Sequence, residues 1–162
     1  MNEIRSIIGP DRPLHIQVTA LDTEGMLRDA DTLLSKVDPE VYVKVPVTME
    51  GIKAIKQMKA RGIHVTGTAI YGKQQGFLAM EAGADYIAPY FNRMENMGLD
   101  SDDVIASLAD MIDLYRYDTQ ILAASFKNAG RLTVLSLQER IRLPWIHPYS
   151  RMFSPSLISP MP

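Results

Sequence analysis

Short apolar, β-rich runs alternate along the chain with stretches whose apolar positions recur at helical spacing. The runs are His15–Val18, Val41–Val47, Ile63–Ala69, Tyr86–Tyr90 and Gln120–Ser125. Each is apolar enough to be a strand covered on both faces, as in a parallel sheet. Between them, Met26, Leu27, Ala30, Leu33 and Leu34 form one helical stripe, and Ile52, Ile55 and Met58 form another. Gly62 is placed to end the second helix, and Lys53, Lys56, Lys59 and Arg61 read as its solvated face. Ser101 is the expected N-cap of a further helix, with Asp102 and Asp103 in its positive first turn. Val104, Ile105, Leu108, Met111, Ile112 and Tyr115 make its expected buried face.

Strand–helix alternation predicts right-handed crossovers and an α/β fold with a parallel sheet. Strand starts are separated by 26, 22, 23 and 34 residues, which suits a barrel or a doubly wound sheet equally. Gly67-Thr68-Ala69-Ile70-Tyr71-Gly72 is the nearest approach to a Gly-rich phosphate loop, and it matches neither the dinucleotide nor the P-loop spacing. That weakens the doubly wound reading.

Polar residues collect at the C-terminal ends of the strands. Gln17, Thr68, Tyr90 and Ser125 each stand at such an end, and Lys44 sits among the valines of the second run. In a parallel barrel these ends open onto one rim, where sites are built. Val41, Val43, Val45 and Val47 alternate on one face, leaving Tyr42, Lys44 and Pro46 on the other. Burial disfavours an ammonium and favours the neutral amine that attacks carbonyls. A buried carboxylate partner, or a side chain reaching out at the strand end, accounts for the same lysine without chemistry. Gln17, Thr68 and Ser125 can equally satisfy backbone groups, Tyr90 can be core, and Arg93 can be a solvated loop charge. His15 and His64 read as packed residues, and no metal site is expected.

Composition adds limits. With 162 residues the chain has room for one ordinary domain, and its net charge of −2 favours neither nucleic acid nor an anionic membrane surface. The absence of cysteine removes disulfides and thiolate chemistry. No apolar run approaches the roughly 18 residues of a membrane span, and no signal-peptide pattern opens the chain, so a soluble cytoplasmic protein is expected. All 10 glycines lie in the first 130 residues, which carry 13 basic and 18 acidic side chains. From Arg131 to Pro162 there is no Gly, Ala, Asp or Lys, but half the prolines and the single tryptophan.

Four linked segments carry a resemblance. They are Val43-Lys44-Val45-Pro46-Val47-Thr48, Gly67-Thr68-Ala69-Ile70-Tyr71, Ala88-Pro89-Tyr90 with Asn92-Arg93, and Ala123-Ala124-Ser125-Phe126-Lys127. In order and spacing they resemble the small transaldolase-like family of fructose-6-phosphate aldolases, from about His15 to Lys127. The resemblance implies a (β/α)₈ barrel, a cofactor-free class I aldolase and a homo-oligomer. It implies that Lys44 forms a Schiff base with a ketose or hydroxyketone donor. Gln17, Thr68 and Tyr90 would hold a water for proton transfer, and Arg93 and Ser125 the sugar-phosphate end. Transaldolase-type dihydroxyacetone transfer and a non-catalytic fragment are the rival readings.

The family begins with two further strands, carrying an aspartate and an asparagine next to proline. Residues 2–8 resemble the helix after them, so the expectation is a partial barrel of about five βα units, resembling strands three to seven. The expected organisation is a partial barrel over 1–130 and an atypical Pro-, Arg- and Ser-rich tail over 131–162. A one-nucleotide frame slip near Gly130 accounts for that break, because Trp145 to Ser154 read one nucleotide earlier resembles the family's segment after its last strand.

Overall fold

The computed structural model describes residues 2–122. Helix α1 (Asn2–Ile8) leads into strand β1 (His15–Gln17), followed by α2 (Thr23–Lys36), β2 (Tyr42–Pro46), α3 (Met49–Ala60) and β3 (Val65–Ile70). Then come α4 (Lys73–Glu81), β4 (Tyr86–Pro89), α5 (Phe91–Asn96), α6 (Ser101–Tyr115) and β5 (Gln120–Ile121). All strand pairs are parallel, and their order in the sheet is their order in the chain. A doubly wound sheet reverses its order at a switch point. Unbroken sequential order with parallel crossovers is the winding of a (β/α) barrel, and these strands form five consecutive members of one. Ser125 and the segment 131–162 lie outside the described residues.

The alternation in β2 sets the two faces. Val41, Val43 and Val45 are completely buried and Val47 nearly so, whereas Tyr42, Lys44 and Pro46 are half-buried. The valines pack in one apolar core with Met26 and Ala30 of α2, Ile55 and Met58 of α3, Ala79 of α4 and Leu108 of α6. Gly67 belongs to the same side, and a Cβ there would stand 2.9 Å from the Ala79 Cβ. Small residues therefore let α4 lie close on β3.

Helix starts follow side-chain chemistry. Asp22 accepts the Gly25 amide at the start of α2, and Thr48 accepts the Gly51 amide at the start of α3. Gly62 takes φ +75° just past α3, as expected of a terminating glycine. The N-cap of α6 is Asp100, not Ser101: the Asp100 carboxylate accepts the Asp103 amide at 2.9 Å, so the helix begins one residue earlier. Ser101 is instead buried and donates to Glu95.

Other expectations also change. Tyr115 is 58 % exposed, meeting the rings of Phe77 and Tyr117 rather than the core. Lys59 leaves the solvated face of α3 to bond Asp85. Helices α4 and α5 have no counterpart among the stripes read from the sequence. In α4 the buried positions are Gly76, Ala79 and Met80, two of them too small to raise the apolar contrast of a stripe.

Candidate active site

The face of the sheet turned away from the valines carries the polar residues. Register aligns Gln17, Lys44 and Thr66 across β1, β2 and β3, with Tyr86 and Gln120 continuing the row on β4 and β5. Lys44 thus stands between Gln17, which is exposed, and Thr66, which is fully buried. Lys44 itself is half-buried, a correction to its expected enclosure. It lies on the open side of a sheet whose other side takes the helices.

Towards the N-terminal ends, the same face becomes an aromatic floor. The His15 ring stacks on Tyr42 at 4.8 Å between centroids and meets the edge of Tyr86 at 5.1 Å. Tyr42 stacks in turn on His64 at 4.8 Å. His15 Nδ1 lies 2.8 Å from Thr66 Oγ1. Burial, and next the charge of Lys44, lower the His15 pKa from its ordinary 6.5 to about 4. His15 is therefore neutral at physiological pH. Burial likewise raises the Tyr42 phenol above its ordinary value.

The C-terminal ends form a rim above Lys44. Thr68 donates to the Tyr90 hydroxyl at 3.4 Å, joining the ends of β3 and β4. The Tyr90 ring meets Tyr71 edge-on at 5.6 Å, and the Arg93 guanidinium lies over the Tyr90 ring at 4.9 Å. Arg93 also donates to the Tyr71 hydroxyl at 3.3 Å, a contact that raises its pKa further. A shallow cavity of about 380 Å³ opens here, lined by Tyr71, Arg93, Asn96 and Met97.

Backbone irregularity shapes this rim. Ala69 adopts φ +56° where β3 shifts register between Thr68 and Ile70. A bulge of this kind re-aims neighbouring side chains, at a strain of about 1–3 kcal/mol for a non-glycine residue. Gln75 braces it. Its Oε1 accepts the Tyr71 amide at 2.9 Å, and its Nε2 donates to the Val47 carbonyl at 3.1 Å and the Ala69 carbonyl at 3.4 Å.

Of the residues singled out from the sequence, Gln17 and Lys44 share one row, while Thr68, Tyr90 and Arg93 form a connected cluster at the rim. Ser125 lies outside the described residues. Sequence reasoning did not pick out Thr66, Tyr71 or Gln75, and it assigned His15 to packing alone. Thr66 had a signal, a second threonine two positions before Thr68 on an alternating strand. Among the described residues, no three His, Cys, Asp or Glu side chains gather to hold a metal, and no helix is long and apolar enough to cross a membrane.

Comparison with known proteins places the chain in a family. The family model for Transaldolase/Fructose-6-phosphate aldolase matches residues 1–144. A probable fructose-6-phosphate aldolase of Streptococcus pneumoniae is 48 % identical over 132 residues, covering 82 % of this chain and 60 % of that protein. A probable transaldolase of Chelativorans sp. is 39 % identical over 122 residues, covering 75 % of this chain and 56 % of that protein. Another from Agathobacter rectalis is 33 % identical over 137 residues, covering 85 % and 63 % respectively. This chain thus spans about three-fifths of the length of the relatives it matches. The match over most of its residues, on a sheet wound as a barrel, shows that the chain belongs to the transaldolase/fructose-6-phosphate aldolase family.

Proposed function

We propose that the inner face carries a Schiff-base aldolase site for sugar phosphates of the fructose 6-phosphate type, with Lys44 as the nucleophile and a dihydroxyacetone unit as the donor. The observation that carries this reading is the position of Lys44, on the inner face between Gln17 and Thr66 and below a rim of Thr68, Tyr90 and Arg93. The neutral amine adds to the ketone carbon, and proton transfer from nitrogen to oxygen gives a carbinolamine. Protonation of the carbinolamine hydroxyl and its loss as water leave an iminium. The iminium draws in the electron pair of the carbon–carbon bond beyond its neighbouring carbon, and that bond breaks. The hydroxyl proton of the departing fragment passes to a base, an aldehyde leaves, and an enamine remains on Lys44. Protonation of the enamine carbon and hydrolysis then return the amine and a free hydroxyketone.

Gln17, Thr68 and Tyr90 hold the water through which those protons move. Arg93, exposed at the rim cavity, and Ser125 hold the phosphate end. No cofactor enters this sequence of steps. A second reading, transfer of the enamine unit to an acceptor aldehyde, draws support from the relatives named as probable transaldolases. The two readings share every step as far as the enamine.

Borohydride reduction in the presence of dihydroxyacetone or hydroxyacetone, followed by peptide mass mapping, tests the shared part. A reduced adduct on Lys44, lost in Lys44→Met and retained in Lys53→Met, is the expected result. No adduct, or equal labelling in the two variants, overturns the reading and leaves a non-catalytic chain.

A further inference from the structure

We propose that His15 and Thr66 act as a positioning pair for Lys44, the imidazole fixing the direction of the threonine hydroxyl so that its oxygen accepts from the lysine nitrogen. This role rests on the Schiff-base reading of Lys44 and extends it to two residues outside the rim. The geometry begins with register: His15 pairs with Tyr42, and two residues further along, Gln17, Lys44 and Thr66 form one row. Thr66 is therefore an immediate inner-face neighbour of Lys44, although the two are 22 residues apart in the chain.

The His15 ring has little freedom. Tyr42 covers one face, Tyr86 meets it edge-on, and Nδ1 is directed at Thr66 Oγ1, 2.8 Å away. Thr66 is fully buried, so its hydroxyl is held in this contact. A hydroxyl has one proton to donate and two lone pairs to accept with. If His15 Nδ1 accepts that proton, the Thr66 lone pairs remain for Lys44. If Nδ1 carries a proton and donates, it takes one of those lone pairs and leaves the Thr66 O–H without a fixed direction.

Electrostatics permit the first arrangement, because only a neutral ring can accept at Nδ1. From β2 the ring faces Tyr42 and Lys44, from β3 Thr66 with His64 beyond Tyr42, and from β4 Tyr86. A positive charge on His15 would be both desolvated and set against Lys44, which keeps the ring neutral. An iminium nitrogen bears one N–H. A fixed acceptor beside it favours the protonated Schiff base over the neutral imine, and only the protonated form withdraws electrons strongly enough for the bond to break. His15 would thus act on the chemistry through Thr66, without touching substrate.

Two measurements on the 162-residue chain test the pair. Long-range ¹H–¹⁵N correlation spectra of the imidazoles, followed across pH, report tautomer and titration directly. The expected result is an unprotonated His15 Nδ1 at pH 7 and a titration that moves upward in Lys44→Met. A protonated Nδ1 at pH 7, or a titration indifferent to Lys44→Met, overturns the proposal. The second measurement is the rate of borohydride trapping with hydroxyacetone. Thr66→Val and His15→Phe should each slow it by roughly tenfold, the size of one lost charge-assisted hydrogen bond. The double variant should be no slower than either, and Thr66→Ser should retain the parent rate. Unchanged trapping in Thr66→Val overturns the proposal as well. If the parent chain traps no donor at all, the Schiff-base reading fails, and the spectra alone decide the His15–Thr66 polarity.

Discussion

Lys59 of α3 holds both carboxylate oxygens of Asp85, with its ammonium 2.7 and 2.8 Å away. The same carboxylate accepts the Val65 amide at 2.7 Å, and the Asp85 carbonyl accepts the Gln120 amide at 2.9 Å. One residue thus joins α3, β3, β4 and β5 at the end of the sheet opposite the rim. Asp85→Ala leaves a partly buried ammonium and a strand amide unsatisfied, and should cost about 2–3 kcal/mol. Urea unfolding measures it. A change within experimental error would show that water replaces the carboxylate at both donors.

Gly51 is a steric requirement of the site's support. A Cβ there would lie 1.8 Å from the Pro46 carbonyl oxygen, which already accepts the Thr48 amide at 2.9 Å. The obstacle is backbone and is pinned, so Gly51→Ala should destabilise by about 3 kcal/mol or more and displace the end of β2, two residues from Lys44. Gly76→Ala should cost less, because its obstacle is the movable end of the Leu108 side chain. Thermal midpoints of the two variants in the reverse order would contradict this ranking.

Tyr90→Phe separates imine formation from later proton transfer. The ring contacts with Tyr71 and Arg93 survive, while the hydroxyl that accepts from Thr68 is lost. If Tyr90 serves proton transfer in the proposed reaction, trapping on Lys44 should persist while turnover falls by roughly 10²–10⁴. Turnover equal to that of the parent chain would leave Tyr90 a packing residue.

Acid should weaken the fold in two stages. Neutral His15 has a folded pKa of about 4 against an ordinary 6.5. Above pH 6.5 it is neutral folded or unfolded and contributes no pH dependence. Between 6.5 and 4 the unfolded chain binds a proton that the folded one refuses, so stability falls as pH drops, then levels off. Glu50 differs: hydrogen bonds from Lys53 and then Thr23 lower its pKa from 4.5 to about 2. Its contribution is complete above pH 4.5 and is lost as pH falls towards 2. Urea midpoints against pH should therefore flatten between 6.5 and 4 in His15→Phe, and between 4.5 and 2 in Glu50→Gln. A His15→Phe curve parallel to the parent's above pH 4 would contradict the first assignment.

Periodicity alone located the first four strands within a residue or two and the start of the fifth, set the valines of β2 against Tyr42, Lys44 and Pro46, and identified Gly62 as a helix end. These are local consequences of which side chains must leave water. The motif around Lys44 and the residues at the strand ends were legible for the same reason, since polar side chains in an apolar strand stand out against their own neighbours. Local pattern did not show that Asp85 draws Lys59 from solvent across 26 residues, that Asp100 rather than Ser101 caps α6, or that α4 packs through Gly76 and Ala79. Nor did it place His15 on Thr66, 51 residues away. Those pairings depend on strand order and register, which are set only when the crossovers close and helices dock on the sheet. The choice between barrel and doubly wound winding was likewise a matter of tertiary structure. The spacing of the elements is compatible with both, and the hydrogen-bonded order of the strands tells them apart.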